Sequence, residues 1–245
     1  MRSTSPRYDA IIFDLFGTLI ANFAEDDHEN VLADMIKCLG TPNAPFRALW
    51  NGETWSLRAT GQLPTTEANI RYVCSALGVE PDAGAVARAV AMRVEFTRRA
   101  LAPRPDALST LAALRQQGYA LGLISDCSSE VPLLWQDSAF ADVFDTAIFS
   151  CSVGVKKPHP AIYQSACERL GVAPERCLYI GDGSSNELSG ALRCGMHPVL
   201  ISYPDEADAI RYDAEVWDGA RIASLTEVLS LVGIQESASG EPGAM

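Results

Sequence analysis

Residues 10–19 read AIIFDLFGTL, a run of four apolar residues followed at once by an acid and a tight Gly-Thr turn. A short apolar run that ends in a polar residue is typical of a buried parallel strand. Asp14 would then lie at the carboxyl end of this strand, where a carboxylate can act as a nucleophile or as a metal ligand. For Asp14 alone, a cap of the following turn is an equally good interpretation.

Similar apolar runs recur later in the chain and alternate with helical patterns. The runs cover residues 121–124, 147–149, 178–180 and 198–201, and a sixth begins at 221–222. Helical patterns cover residues 105–117, 160–170 and 186–194, each closed by a glycine. Strands that alternate with helices of this length predict an α/β fold, with a doubly wound, Rossmann-like parallel sheet.

Residues 21–100 interrupt this alternation because their pattern is helical throughout, in stretches at 29–39, 45–60, 65–77 and 83–99. We therefore predict an α/β core domain from residues 1–20 and 101–235, an inserted all-helical domain from residues 21–100, and a flexible tail at 236–245. The insertion would lie over the carboxyl ends of the strands, where open α/β sheets bind ligands.

Composition limits the partners of the protein. Its 245 residues include 19 Lys and Arg against 31 Asp and Glu, which gives a net charge of −12. An acidic chain is a poor partner for nucleic acid or an anionic membrane.

Because the sequence lacks an apolar run of about 18 residues and a signal-peptide pattern, a cytoplasmic location is expected. Its 7 cysteines contain no C-x-x-C pair, and most of them are predicted to be buried free thiols.

Polar side chains follow other predicted strands as well. Ser125 ends the second strand and could donate its hydroxyl to a substrate oxygen, although most such serines only form turns. Lys157 lies before a proline at a helix start, where a surface lysine is the common interpretation. The fourth strand runs into residues 181–187, GDGSSNE, which supply Asp182 and Glu187. Hard oxygen ligands at one sheet edge suit Mg²⁺.

Four motifs follow one another along the chain: an Asp in D-x-x-G-T, a Ser at a strand end, a Lys before Pro, and a G-D turn with a later acid. In this order they resemble the haloacid dehalogenase-like (HAD) hydrolase superfamily. The resemblance runs from about residue 8 to residue 232, and residues 21–100 take the place of that family's type 1 cap. It implies a hydrolase, and most directly a Mg²⁺-dependent phosphatase of a small phosphorylated metabolite that works through an aspartyl-phosphate.

The resemblance also implies roles for individual residues. Asp14 would be the nucleophile, and Thr18 would orient its carboxylate. Ser125 would bind a phosphoryl oxygen, and Lys157 would neutralise charge on the nucleophile and the transferring group. Such neutralisation is needed because a carboxylate that attacks a phosphate anion is otherwise repelled.

Mg²⁺ is the cofactor that the resemblance implies. Asp14, Asp182 and the backbone carbonyl of Phe16 would hold the ion. Glu187 stands where Asp is commoner in the family, and its longer side chain would still serve at or beside the metal.

Phe16 departs from the phosphatase pattern, which has a second Asp at this position as general acid and base. Phenylalanine cannot transfer a proton, and such a loss commonly costs roughly 10² to 10⁴-fold in rate. The dehalogenase branch of the family carries an aromatic residue here and needs no metal, so a metal-independent 2-haloacid dehalogenase is the rival prediction. Asp182 argues against it, since a buried carboxylate without a cation is costly. A non-catalytic HAD-like binding protein is a third alternative.

The expected partner is a small phosphorylated or halogenated molecule, bound by a monomer or a homodimer. The substrate-binding residues that we predict are Phe16, Gly17, Asp126 and Arg58. Asp126 could coordinate the metal or carry the missing proton, but we favour a cap of the helix that follows it. Further candidates from the insertion are Asn22, His28, Trp50, Trp55 and Arg71, with His28 more simply explained as part of a solvated acidic helix start.

Overall fold

A six-stranded parallel sheet forms the centre of the protein, with the strand order β3-β2-β1-β4-β5-β6. The computed structural model describes residues 7–23, 25–204 and 214–234, so the predicted tail at 236–245 lies outside the described residues. The strands are β1 (Ala10–Phe13), β2 (Ala120–Ser125), β3 (Thr146–Phe149), β4 (Cys177–Gly181), β5 (His197–Ile201) and β6 (Arg221–Ile222).

Strand β1 lies between β2 and β4 and is buried on both faces. Ala10 is in register with Ala120 on one side and with Cys177 on the other. All four residues of β1 are 0% exposed, which explains why the strand is apolar without alternation. The backbone N–H of Asp14 donates to the carbonyl of Ile180 at 2.8 Å, so the sheet fixes the backbone at the start of the turn.

Helices cover both faces of this sheet, as a doubly wound fold requires. Ile11 and Phe13 of β1 pack into one hydrophobic cluster, and Ala10 and Ile12 pack into another on the opposite face. The predicted α/β class and Rossmann-like sheet are therefore confirmed. The helices that accompany the sheet are α6 (Ala107–Gln116), α7 (Glu130–Leu134), α8 (Ser150–Val153), α9 (Pro160–Leu170), α10 (Glu187–Arg193) and α11 (Glu227–Leu231).

Between residues 21 and 100, the described residues are helical wherever they form regular secondary structure. They form α1 (Glu25–Leu39), α2 (Asn43–Ala48), α3 (Thr54–Ala59), α4 (Thr66–Ala76) and α5 (Ala83–Ala100), here called the inserted helices. A third hydrophobic cluster is drawn entirely from this part of the chain, with Leu32, Trp50 and Val73 among its buried members. The boundaries of a separate domain at residues 21–100 stay a prediction.

The stretch at 45–60, predicted as one helix, is broken in the structure. A π-helical segment, Leu49–Glu53, separates α2 from α3. The hydroxyl of Thr54 donates to the carbonyl of Leu49 at 2.9 Å, five residues back. Gly52 lies within the same segment and contributes no side chain to hold a regular turn.

Two predictions about the whole chain can be compared with the structure. All seven cysteines are free thiols, and most of them, Cys74, Cys127, Cys167 and Cys177, are buried, as predicted. Among the described helices, none combines the length and the apolar character that a bilayer span demands.

Candidate active site

The functional side chains predicted from separate strand ends meet at one edge of the sheet. Asp14 follows β1, Ser125 ends β2, and Asp182 follows β4. Because β1 lies between β2 and β4, the carboxyl ends of these strands are neighbours. Lys157 reaches the same edge from the loop between α8 and α9, and its ammonium contacts Asp14.

Asp14 is buried and held at both carboxylate oxygens. Its Oδ1 lies 2.5 Å from Nζ of Lys157, and its Oδ2 accepts a hydrogen bond from the hydroxyl of Thr18 at 3.1 Å. Thr18 is itself fixed, because the hydroxyl of Tyr203 donates to its carbonyl at 2.9 Å. The nucleophile predicted from the sequence therefore has one defined orientation.

Glu187 holds Lys157 from the other side. Its Oε2 lies 2.6 Å from Nζ of Lys157 and accepts from the hydroxyl of Tyr179 at 2.8 Å. Its Oε1 accepts from the backbone N–H of Gly183 at 3.0 Å. A Cβ at Gly181 would lie 2.2 Å from this Oε1, so the strand end has no room for a side chain. Protein donors thus occupy both oxygens of Glu187.

Asp182 lies against the turn that follows Asp14. Its Oδ2 accepts from Nδ2 of Asn22 at 3.2 Å, and its Oδ1 accepts from the backbone N–H of Ser184 at 2.9 Å. Gly17 has a φ of +74°, and a Cβ there would lie 2.4 Å from Oδ2 of Asp182. Glycine is needed on both counts, since only it takes this backbone conformation freely and leaves space for the carboxylate.

Among the described residues, this cluster brings together three carboxylates and one ammonium group. Carboxylate oxygens of Asp14, Asp182 and Glu187 lie within 4.8 Å of one another. Lys157 forms ion pairs with two of them, Asp14 and Glu187. Burial and the charge of Asp182 raise the pKa of Asp14 to about 6, although Lys157 opposes the shift. Burial and the charge of Asp14 raise the pKa of Glu187 well above its usual value.

The donor set fits a small divalent cation. Buried carboxylates that repel one another are stabilised by a cation placed between them. All the ligand atoms are hard oxygens, which is the chemistry that Mg²⁺ prefers. For Lys157, burial alone would lower the pKa, but Asp14 and Glu187 outweigh it and raise the pKa well above its usual value. The lysine therefore stays charged.

The end of β2 carries two further predicted residues. Ser125 is fully buried, and its hydroxyl makes no hydrogen bond to a described nitrogen or oxygen. Asp126 does not cap α7 as predicted, because Ser129 occupies the N-cap position of that helix. Instead, Oδ1 of Asp126 accepts from the backbone N–H of Lys157 at 3.0 Å. This contact depends on how two distant loops pack, which local sequence does not reveal.

A cavity of about 330 Å³ opens next to Asp14 and Lys157 and is closed by residues of the inserted helices. Phe16 faces this cavity, and its ring centroid lies 5.0 Å from that of Phe23. Asp126 also lines it. The volume suits a molecule of a few carbon atoms, and the site is partly shielded from water.

Most candidates from the insertion line this cavity, namely Asn22, His28, Trp50, Trp55 and Arg58. Arg71 does not line it, and its exposed side chain pairs with Glu67 at 2.7 Å instead. The solvated interpretation of His28 is wrong, because its ring is half-buried and stacks on Phe23 at 6.0 Å. Burial lowers the pKa of His28, which favours the neutral imidazole at neutral pH.

Sequence reasoning missed Arg93 on α5, which is buried and lines the cavity. The sequence does contain a sign of its burial. Arg93 has the helical spacing that places it on the same face of α5 as the buried residues Val86, Ala89 and Phe96. Its partner Glu130, fully buried at the start of α7, was missed as well. A charged residue on an apolar stripe indicates a buried ion pair or a binding site.

The chain is similar to known proteins along most of its length. It is 28% identical over 197 residues to glyceraldehyde 3-phosphate phosphatase of Methanopyrus kandleri, covering 78% of this chain and 83% of that protein. It is 27% identical over 204 residues to (S)-2-haloacid dehalogenase 4A of Burkholderia cepacia, covering 79% of this chain and 82% of that protein.

A solved structure and a family model agree with these matches. The 2-haloacid dehalogenase of Pseudomonas syringae pv. tomato superposes with a TM-score of 0.68 at 21% identity, covering 91% of this chain and 97% of that one, which supports the fold. The family model for a haloacid dehalogenase-like hydrolase matches residues 8–195. The protein is therefore a hydrolase, and it belongs to the haloacid dehalogenase-like hydrolase family.

Proposed function

We propose that the protein is a Mg²⁺-dependent phosphatase that acts on a small phosphorylated metabolite through an aspartyl-phosphate on Asp14. The observation that carries this proposal is the buried carboxylate of Asp182, which lies within 4.8 Å of the carboxylate of Asp14. Carboxylate oxygens gathered this closely form a donor set of hard oxygens that suits Mg²⁺. The phosphatase among the relatives supports the same function.

Three groups would hold the ion: the carboxylates of Asp14 and Asp182 and the backbone carbonyl of Phe16. When bound, Mg²⁺ supplies positive charge that lets an anionic nucleophile approach an anionic phosphate. Glu187 would act through Lys157, because both of its oxygens already accept hydrogen bonds from the protein.

Transfer begins when a carboxylate oxygen of Asp14 attacks phosphorus in line with the leaving oxygen. The new O–P bond forms as the ester P–O bond breaks, and the bonding electrons leave on the alkoxide. Thr18 and Lys157 hold the carboxylate in position, and the hydroxyl of Ser125 donates to a phosphoryl oxygen. Water then attacks the phosphorus of the aspartyl-phosphate, which releases phosphate and restores Asp14.

The departing alkoxide needs a proton, and Phe16 cannot supply one. Asp126 and His28 line the same cavity, and each can carry a proton. Burial raises the pKa of Asp126, so its carboxyl group holds a proton at a higher pH than an exposed Asp does. Neither residue stands at the family's usual position for the acid, and the protein is therefore expected to be slow on substrates with poor leaving groups.

Phe16→Asp is expected to raise the turnover of an alkyl phosphate by about 10- to 100-fold, because it returns a general acid to the usual position. Phe16 is half-buried at the cavity wall, so a smaller polar side chain can be accommodated. The matched control is Phe16→Asn, which has the same shape but carries no titratable proton. Equal rates for the two variants in a phosphate-release assay would contradict proton transfer as the missing function.

Dehalogenation is the second candidate, and the position of Phe16 favours it. Its ring and that of Phe23 form an apolar wall beside Asp14, which suits a carbon–halogen bond better than a phosphate. In this reaction Asp14 would form a C–O ester as halide leaves with the electrons of the C–X bond, and water would then hydrolyse the ester. The dehalogenases among the relatives support it, but it gives Asp182 no role.

Product release with and without a chelator separates the two functions. The purified protein is incubated with a panel of small phosphate monoesters and, separately, with 2-haloacids, in Mg²⁺ or in EDTA. We expect phosphate release in Mg²⁺ that stops in EDTA and returns when Mg²⁺ is added back. Halide release that EDTA does not affect, without phosphate release from any ester, would establish the dehalogenase instead.

A further inference from the structure

Two buried guanidinium groups line the cavity from the side of the inserted helices. Arg58 is 3% exposed and Arg93 is 5% exposed. Aromatic rings surround them: Cζ of Arg58 lies 4.4 Å from the centre of the Trp50 ring, and Cζ of Arg93 lies 5.0 Å from that of Phe96. Guanidinium groups are rarely buried without an anionic partner.

The described residues around Arg93 supply less negative charge than this buried guanidinium needs. Glu130 lies 3.8 Å from Nε of Arg93, a long distance for an ion pair, and it also accepts a hydrogen bond from Ser128. Nη1 of Arg93 is buried and makes no hydrogen bond within the described part of the chain. Glu29, which also lines the cavity, is paired with Arg47 on the outer side.

We propose that Arg93, assisted by Arg58, forms an anion subsite that binds a carboxylate group of the substrate while Asp14 acts on the phosphate. The planar guanidinium matches a carboxylate in shape and charge, and a buried donor without a partner is satisfied by such a ligand. The cavity of about 330 Å³ holds both Asp14 and Arg93 in its walls, so the two anionic groups must be separated by few atoms. The substrate class is therefore a small phosphorylated carboxylic acid.

This inference rests on the proposed phosphatase function for the identity of the second group, but its test does not need turnover. Phosphonoacetate and ethylphosphonate have nearly the same size, and neither contains a phosphate ester that the protein could hydrolyse. They differ in the carboxylate that phosphonoacetate carries. Calorimetric titration of each into the protein with Mg²⁺ therefore measures the contribution of the anion subsite as the ratio of the two affinities.

We expect the wild-type protein to bind phosphonoacetate about 10- to 100-fold more tightly than ethylphosphonate, as a charged hydrogen bond to Arg93 would give. In Arg93→Gln the ratio falls to near one, while the affinity for ethylphosphonate stays within about threefold, because the phosphonate end does not touch Arg93. Arg71→Gln, which changes an exposed arginine outside the cavity, is the matched control and keeps the wild-type ratio.

Two variants of Glu130 distinguish ligand binding by Arg93 from a purely structural effect of the Arg93–Glu130 ion pair. Arg93→Gln leaves Glu130 buried without its partner, so the double variant Arg93→Gln/Glu130→Gln restores neutrality and is expected to fold and still lack discrimination. Glu130→Gln alone releases Arg93 and is expected to bind phosphonoacetate at least as tightly as wild type.

Equal affinities of the wild-type protein for the two ligands, or a ratio that survives Arg93→Gln, would overturn the inference and leave the phosphatase proposal standing. Binding of phosphonoacetate that requires Arg93, in a protein that hydrolyses no phosphate ester, would uphold the subsite while the phosphatase proposal falls.

Discussion

Asp14→Asn is expected to abolish turnover, with a loss on the order of 10⁴- to 10⁶-fold in kcat, because removal of a nucleophile has effects of this size in other enzymes. Release of either phosphate or halide would be lost, since both reactions need the carboxylate. Stability is not expected to fall. The pKa of Asp14 is raised to about 6 by burial, so above this pH its negative charge costs folding free energy that the neutral Asn avoids.

The measurement pairs product release with thermal unfolding in EDTA at pH 8. Asp142→Asn changes an exposed aspartate and serves as the matched control, with full activity expected. A variant at Asp14 that unfolds at a clearly lower temperature would point to a structural carboxylate. One that keeps more than about a tenth of the wild-type rate would exclude Asp14 as nucleophile.

Lys157→Gln has the second largest expected effect because the lysine serves both the reaction and the fold. It leaves the carboxylates of Asp14 and Glu187, both buried, without the ammonium that lies 2.5 Å and 2.6 Å from them. Loss of one partner of a buried ion pair costs about 3–5 kcal/mol in the free energy of unfolding. Turnover is expected to fall by about 10²- to 10³-fold, as after removal of other groups that stabilise a transition-state charge.

Two further variants separate the role of Lys157 in the reaction from its role in the fold. Lys156→Gln changes the neighbouring lysine, which forms no ion pair with this cluster among the described residues, and should behave as wild type. Lys157→Gln/Glu187→Gln removes one charge of each sign, so it should regain much of the lost stability in a denaturant titration and remain inactive. Recovery of turnover in the double variant would show that the lysine acts only through the fold.

The positions of the strands and the meeting of Asp14, Lys157 and Asp182 could be predicted from the sequence. Each strand is a short apolar run, and a doubly wound sheet brings the carboxyl ends of neighbouring strands to one edge. The hydrogen bond from Thr18 to Asp14 joins residues four positions apart, and the resemblance to the family predicted that these two residues interact. These features depend on local sequence and on a fold whose rules are simple.

The features that sequence reasoning did not reveal depend on packing between distant segments. Asp126 accepts from the backbone of Lys157 rather than from its own helix, and Glu130 pairs with an arginine of the insertion. Arg93 was overlooked because a single arginine on a helix is usually exposed, even though its place on the apolar stripe of α5 was visible. These charged side chains are buried because two distant segments pack against each other. The sequence of either segment alone does not predict their burial.

The central claim, that Asp14 and Asp182 together bind a divalent cation, is tested most directly by calorimetric titration of Mg²⁺ into the wild-type protein and into Asp182→Asn. The claim predicts one Mg²⁺ per chain in the wild-type protein, with a stabilisation of about 2.7 kcal/mol when free Mg²⁺ is 100 times the dissociation constant. It predicts no binding to Asp182→Asn in the same concentration range. A wild-type protein that takes up no Mg²⁺, or a variant that binds it equally well, would contradict the account.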